Sequence, residues 1–446
     1  LRLNPDDPEL YFQLSRIYQD KIGATFDDFH LVYKSQHAQQ METVFGRPPL
    51  TIKELKATPP LEVLLAQDPG ARALHERMRA AGVDLDDLPI AERVLGLPEQ
   101  HERRVELLRE RPEVVEVFEG SRGTVSFMRV LRSLRRDMLV DTFKLDPRRM
   151  FEIDQTWGPL DWRGSDAHAT YWALEGMRVA VEKKDVRQHL RLRRVAVQAL
   201  KLAVRRGRVT RIADGRIFLA PMVELVERTD RQYLESIRIG RAYRSELTDT
   251  GSGEGHAHGD DLQSVEGFLT NQDGAREDFL GEAIVLLSEY GAERQARALH
   301  ARARSDYARN QTFALPYGEF IIAALAIRYA DPGMYDTPVG ISQTVEGAWT
   351  DAFLQLALGQ DDRYRGLNNL ARNVQKRWER YRSALPPEDQ RRMEVRYEAI
   401  RKRAAYRTAK RLALGLQQRL ALRLGISLER LLAEPPSVNV KPSRSR

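Results

Sequence analysis

The chain has 446 residues, of which 42% are hydrophobic, and it contains no cysteine. This length and apolar content allow a large core, in two or three domains or in one continuous array. The lack of cysteine excludes disulfides, thiolate catalysis and cysteine-based metal sites. The longest uninterrupted apolar run, at 320–327, is far shorter than the roughly 20 residues that cross a bilayer, so no membrane span is predicted.

The formal net charge of +7 is unevenly distributed. Residues 361–446 contain 22 Lys and Arg against 9 Asp and Glu, which gives net +13 and leaves −6 for the rest of the chain. The basic character therefore belongs to the C-terminal fifth. The sequence opens at Leu1 without an initiator methionine, and we expect it to be a mature or truncated piece of a longer protein. The absence of a targeting signal is then uninformative, and the compartment stays open.

The first stretch, residues 4–45, predicts two antiparallel helices joined by a short turn. Asp7 can cap the first helix, with Pro8 in its first turn, where the missing N–H costs nothing. Leu10, Leu14 and Ile17 share one helical face, and a second apolar stripe ends before Gly46. Neither helix can bury its stripe alone, which is typical of helical pairs that stack in arrays.

These residues resemble a tetratricopeptide repeat. The entry at residues 4–11 and the spacing of Tyr11, Leu14 and Tyr18 match the first helix of that family, although Ser15 replaces its small glycine. The resemblance implies an α-solenoid that binds other proteins. The overall pattern is also similar to bacterial envelope proteins that carry such repeats behind an N-terminal anchor.

Two further helical pairs repeat this spacing. The pair at 167–206 places Trp172, Gly176 and Val179 on its first helix and Ala196, Leu200 and Ala203 on its second, with a longer interval than the family has. The pair at 277–308 carries Ala296, His300 and Ala303 in its second helix. We therefore predict three repeat-like hairpins, near 8–45, 167–206 and 277–308.

Between these pairs the pattern changes several times. It predicts short helices over 51–111, a short strand at 114–118 and a basic helix around 127–139. A packed loop is expected at 151–163, a two-strand hairpin at 208–219 with its turn at Asp214-Gly215, and a long loop at 245–273. An amphipathic helix is predicted at 345–358, followed by a helix at 368–383 and a long Arg-rich helical region from 388 to about 424.

His256, His258 and Asp260 carry the strongest indication of catalysis. His256-Ala257-His258-Gly259-Asp260-Asp261 resembles the HxHxDH metal motif of metallo-β-lactamase-fold hydrolases, whose imidazoles and carboxylate hold zinc or iron. Asp261 stands where that family has a histidine, and no strand precedes the motif. A solvated loop is the simpler interpretation, and a metal-dependent hydrolase is kept as the alternative. No nucleotide-binding loop or nucleophile elbow is found, and His168 is interpreted as a packed or capping histidine.

Large aromatic side chains and the C-terminal arginines are the predicted partner-binding residues. Core packing is the competing interpretation for the aromatics, and Tyr33 and Trp172 are expected in the core. The basic helices suit an acidic protein or an anionic membrane surface, an ordinary capping helix, or, ranked last, nucleic acid. The predicted partner-binding set is Tyr11, Tyr18, Trp157, Trp162, Arg401, Arg403, Arg407 and Arg411.

The sequence thus predicts an all-α helical-repeat protein with one small β-hairpin. Its expected domains are 1–150, 151–260 and 261–446. The expected function is a non-catalytic protein–protein interaction scaffold within a larger, membrane-associated assembly, without a cofactor. The alternatives are the hydrolase using His256, His258 and Asp260, and nucleic-acid binding through the basic C-terminal helices.

Overall fold

A computed structural model describes residues 4–22, 28–46, 49–81, 116, 120–121, 123–211, 217–249, 256–331, 333–334 and 336–435. These residues are mostly helical, and the all-α prediction is confirmed. The chain divides into two compact units: unit 1 is Leu1–Val209 with Leu219–Glu266, and unit 2 is Thr210–Phe218 with Gly267–Arg446. The boundary predicted at 150 falls inside unit 1.

Unit 1 begins with helix α1, whose N-terminus forms as predicted. Asp7 caps it by accepting a hydrogen bond from the Glu9 N–H at 2.9 Å. A π-helical turn, Ile17–Ile22, continues α1 directly. The helices up to the β-hairpin are α1 (Pro8–Arg16), α2 (Asp28–Phe45), α3 (Ile52–Ala57), α4 (Leu61–Gln67), α5 (Pro69–Ala80), α6 (Val125–Asp141), α7 (Pro147–Thr156), α8 (Ser165–Glu182) and α9 (Val186–Arg206).

Helix α8 is the centre of unit 1. It packs between α1 and α9 and also contacts the π-helical turn and α2. Gly176 permits this packing, because a Cβ atom there would lie only 2.5 Å from the Cβ of Tyr11. Helices α4, α5 and α6 form a smaller apolar cluster that includes Leu61, Leu74 and Phe127.

A two-stranded sheet follows α9, as predicted. Strand β1 is Arg208–Arg211 and β2 is Ile217–Ala220. The Thr210 hydroxyl donates to the Phe218 carbonyl at 2.9 Å. The turn predicted at Asp214-Gly215 lies outside the described residues.

After the sheet, all regular elements that the structure describes are helices, and the last of them ends at Leu432. A single 3₁₀ turn, Val223–Leu225, leads into this part. Its helices are α10 (Val226–Asp249), α11 (His256–Glu289), α12 (Glu293–Asp306), α13 (Gln311–Ala314), α14 (Tyr317–Tyr329), α15 (Pro338–Leu358), α16 (Asp361–Ser383), α17 (Pro387–Arg392), α18 (Tyr397–Arg411), α19 (Leu414–Leu424) and α20 (Leu428–Leu432).

Helix α15 is the central helix of unit 2. It packs against α14, α16, α18 and α19. Val345, Trp349 and Phe353 are buried at intervals of four residues and share one face. The helix predicted at 345–358 is present and begins earlier, at Pro338.

A buried carboxylate joins three helices of unit 2. Glu289, at the end of α11, has only 1% of its side chain exposed. It accepts a 2.7 Å hydrogen bond from Arg363 on α16 and a second one from Arg328 on α14. Because a buried charge is costly unless it is paired, this network specifies how α11, α14 and α16 meet.

Several predicted boundaries differ from the observed ones. The long loop predicted at 245–273 is wrong over 245–249 and 256–273, which are helical. Its polar composition does not prevent a helix there, since Val265 and Phe268 supply a buried stripe. The loop predicted at 151–163 is shorter, because α7 extends to Thr156. The Arg-rich helical region predicted at 388–424 consists of three helices.

The first predicted hairpin is also built differently from a self-contained repeat. Its helices are present, but α1 packs mainly on α8 and α9, while α2 contacts the π-helical turn, α6 and α8.

Tyr33 is 53% exposed, so its predicted core position is wrong, whereas Trp172 is buried as predicted. Of the strand predicted at 114–118, only Glu116 is described, and it is helical.

Within the described part of the chain, no helix combines the length and apolar character needed to cross a lipid bilayer.

Candidate functional site

Two of the predicted partner-binding arginines are used inside unit 2. On α18, Arg403 Nε donates to Glu346 of α15 at 2.9 Å, and Arg407 Nη1 donates to the same carboxylate at 2.8 Å. Glu346 is buried, so these bonds hold α18 on α15. The Arg401 guanidinium lies 5.8 Å from the centre of the Phe353 ring, and Arg411 is exposed.

A second row of cations lies on α16 and is absent from the predicted set. Arg372, Lys376 and Arg380 follow at intervals of four residues and are all exposed, so they share one helical face. No carboxylate in the described part of the chain pairs with Arg372 or Lys376. Among the described residues, the Arg380 side chain makes a single long bond, 3.4 Å, from its Nε to the Lys376 carbonyl. We call Arg372, Lys376 and Arg380 the α16 basic row.

The predicted tryptophan anchors are buried in unit 1. Trp157 is 7% exposed and Trp162 is 2% exposed. Asp154 holds their loop together, because it accepts from the Leu160 N–H at 3.0 Å and from the Trp162 indole N–H at 3.2 Å. Burial raises the pKa of Asp154 despite these two bonds.

Beside this loop lies a cavity of about 400 Å³. Its walls combine apolar side chains with Asp161, Arg163, Arg208 and Glu224. These charges bind one another: Arg163 donates to Asp161 at 2.7 Å, and Arg208 pairs with Glu224. Asp161 also accepts from the Val209 N–H at 2.9 Å. The charges of this cavity therefore mainly stabilise the loop and the strand beside it.

The two predicted tyrosine anchors are half-buried on one side of α8. The rings of Tyr11 and Trp172 lie 6.2 Å apart, centre to centre. Tyr18 lies 5.7 Å from the His37 ring and 5.1 Å from the His168 ring. Both tyrosines thus pack within unit 1, and partner binding through them stays a prediction.

Sequence reasoning missed a buried ion pair between α2 and α8. The Lys34 ammonium lies 3.6 Å from Asp166 Oδ2, and each side chain is only 3% exposed. Burial raises the pKa of the Asp166 carboxyl, and the Lys34 charge opposes that rise. Lys34 Nζ and Asp166 Oδ1 have no hydrogen-bond partner among the described residues. The pair is separated by more than 130 positions in sequence, so no local pattern could reveal it.

Two histidines complete this cluster, which we call the α2–α8 polar cluster: Lys34, His37, Asp166 and His168. The imidazoles of His37 and His168 are perpendicular and 4.7 Å apart. His168 Nε2 donates to the Trp162 carbonyl at 3.0 Å, and its Nδ1 has no partner among the described residues. Burial lowers the pKa of His37 to about 4 and holds that of His168 well below its usual value. Both are therefore neutral at pH 7.

The two histidines of this cluster should make unit 1 sensitive to acid. The folded-state pKa values of His37 and His168 lie below the unfolded value of about 6.5, so the unfolded chain takes up protons first as the pH falls. The two histidines leave the stability of unit 1 unchanged above about pH 6.5. They lower it as the pH falls towards the pKa of His37, about 4, at up to about 1.4 kcal/mol per pH unit for each histidine. The protection of the α2 and α8 amides against hydrogen exchange, compared at pH 7 and pH 5, measures this loss.

The control is the variant His37→Gln/His168→Gln, whose side chains do not titrate. In this variant, the protection of the α2 and α8 amides should depend less on pH between pH 7 and pH 5. An unchanged pH dependence in this variant would show that other groups cause the acid sensitivity.

The alternative metal residues begin helix α11. The backbone at His256, His258 and Asp260 is helical rather than a loop, whereas the side chains lie outside the described residues. In the part of the chain that the structure describes, no group of three or more His, Asp or Glu side chains is arranged to hold a metal ion. The hydrolase alternative stays a prediction.

Comparison with protein-family models, with curated proteins and with solved structures gives no match. The geometry must therefore supply the functional argument. Unit 1 has a buried polar cluster between α2 and α8. Unit 2 has an ion-pair set on α15 and α18 and, on α16, a basic row for which the described residues provide no carboxylate partner.

Proposed function

We propose that this chain is a non-catalytic helical scaffold that binds an acidic protein partner on its basic C-terminal unit, as part of a larger assembly. The α16 basic row is the single observation that carries this proposal. Its charges are exposed, and opposite charge on a partner would complement them.

The contrast between buried and exposed arginines supports it. Arg363 and Arg403 are largely buried, and each donates to a carboxylate, Glu289 and Glu346 respectively. Arg372 and Lys376 have no such partner among the described residues. Like charges four residues apart destabilise a helix by about 0.2–0.5 kcal/mol per pair, so the row does not serve the stability of α16. Binding gives a physical reason for it, because clustered charge also accelerates encounter with an oppositely charged partner.

We propose further that the paired helices are tetratricopeptide-like. The residues at the repeat spacing in α8 and α9 support this, since Trp172, Val179 and Leu200 are buried and Gly176 gives α1 its close approach. In the third pair, Arg276 of α11 binds Asp306 of α12 at 2.7 Å. Stacked pairs of this kind suit a scaffold, because they present long surfaces to a partner.

The test is charge reversal of the row, Arg372→Glu/Lys376→Glu/Arg380→Glu. All three positions are exposed, so the fold should be retained. The full chain and the variant would be purified from the native source, and co-purifying proteins would be identified by mass and quantified. We expect acidic proteins that bind the unaltered chain to be reduced about tenfold or more with the variant.

A matched control reverses three other exposed arginines of unit 2: Arg294→Glu/Arg304→Glu/Arg309→Glu. It makes the same change in net charge at a different place. This control variant should retain the partners. Raised salt should release them from both the unaltered chain and the control variant. Equal retention by both variants, or equal loss from both, would contradict the proposal.

A further inference from the structure

Helix α19 exposes two leucines that lie outside its buried stripe. Its inner face buries Leu416, Leu420 and Ala421, whereas Leu414 is 61% exposed and Leu422 is 79% exposed. The two leucines are eight residues apart, about 12 Å along the helix. Gly415 and Gln418, between them on the outer side, are also exposed. The helix thus has an apolar outer edge in addition to its buried stripe.

The chain around this edge carries more cations than acids. Helix α19 contains no acidic residue, and residues 397–435 hold nine Lys and Arg against three Glu. Arg411, just before α19, is exposed and has no partner in the described ranges. Arg423 forms an exposed pair with Asp361. The acids Glu429 and Glu434 follow α19 and are exposed.

Exposed leucines bordered by cations are typical of helices that lie in the interface of an anionic membrane. We propose that α19 and its flanking cations dock on the surface of an anionic phospholipid bilayer, with Leu414 and Leu422 between the headgroups. Arg411 would contact the lipid phosphates and carboxylates.

A bilayer fits these features better than a protein groove. Side chains that anchor a protein partner fill well-packed pockets from which water is excluded, whereas exposures of 61% and 79% place Leu414 and Leu422 on an open helical surface. A bilayer needs no pocket, because it receives apolar side chains anywhere on its surface. This inference goes beyond the scaffold function and is independent of the α16 basic row.

The test is co-sedimentation of the full chain with vesicles. One set contains phosphatidylcholine with about a third phosphatidylserine, and the other contains phosphatidylcholine alone. We expect binding to the anionic vesicles at about 0.1 M salt and little binding to the neutral ones. Leu414→Ser/Leu422→Ser should weaken binding to anionic vesicles about tenfold or more, and Arg411→Glu should weaken it as well.

Ile327→Ser is the matched control. Ile327 is 67% exposed on α14, so the substitution removes similar apolar surface from the same unit and should leave vesicle binding unchanged. Circular dichroism would verify that each variant is folded. The inference is overturned if the chain binds neither type of vesicle, if it binds both equally, or if the leucine variant binds as well as the control.

Discussion

Replacing Asp166 with alanine should lower the free energy of unfolding of unit 1 by about 3–5 kcal/mol. The Lys34 ammonium is 3% exposed, and Asp166 is the carboxylate that lies 3.6 Å from it. Removing that carboxylate leaves a positive charge buried without compensation. Since the chain has two units, unfolding cannot be assumed to be two-state, and hydrogen exchange of the α2 and α8 backbone is the appropriate measurement.

Two control variants isolate the effect of burial. Glu182→Ala breaks an exposed pair with Arg178 on the same helix, where the side chains are 55% and 60% exposed, and should change stability by less than about 1 kcal/mol. Lys34→Met/Asp166→Leu removes both charges together and should be close to neutral or stabilising. A loss for Asp166→Ala no larger than that for Glu182→Ala would mean that the pair is hydrated.

Substituting Gly366 with alanine should destabilise unit 2 by about 3 kcal/mol, the upper end for overpacking. Gly366 lies in α16 against the turn that ends α11. A Cβ atom at this position would overlap the Glu289 carbonyl oxygen and lie 2.8 Å from the Gly291 nitrogen. These atoms belong to the backbone, so they cannot move aside as a flexible side chain does. Hydrogen exchange of α11 and α16 would report the loss.

Gly274→Ala is the matched substitution. Gly274 lies inside α11, and a Cβ atom there would meet no other atom within 4 Å. Alanine should therefore stabilise this helix by up to about 1 kcal/mol. Similar effects of Gly274→Ala and Gly366→Ala would show that α16 does not approach the turn as closely as described.

Local patterns predicted much of the secondary structure. Asp7, Pro8 and the apolar spacing of α1 act within a few residues of one another, so the start of the helix could be read directly from the sequence. The alternation at 208–219 likewise predicted the two strands. At 256–273, glycine, serine and aspartate suggest a loop, but Val265 and Phe268 form a buried stripe and the segment is helical.

The candidate sites could be predicted only in part. The net charge of +13 located the basic end, but sequence could not separate Arg403, which binds the buried Glu346, from Arg372, which has no carboxylate partner among the described residues. Helical periodicity in α16 would have placed Arg372, Lys376 and Arg380 on one face. No comparable signal exists for Lys34 and Asp166, because their helices meet only through tertiary packing.

By itself, the sequence determined the all-helical class, the small β-hairpin and the basic C-terminal end. These features depend on interactions between near neighbours, namely caps, periodic apolar residues and the count of charges. The tertiary structure decided which helices pair, since α1 packs on α8 and α15 lies among four others. It therefore also decided which charges are buried and which stay exposed, because burial depends on residues that are distant in the chain.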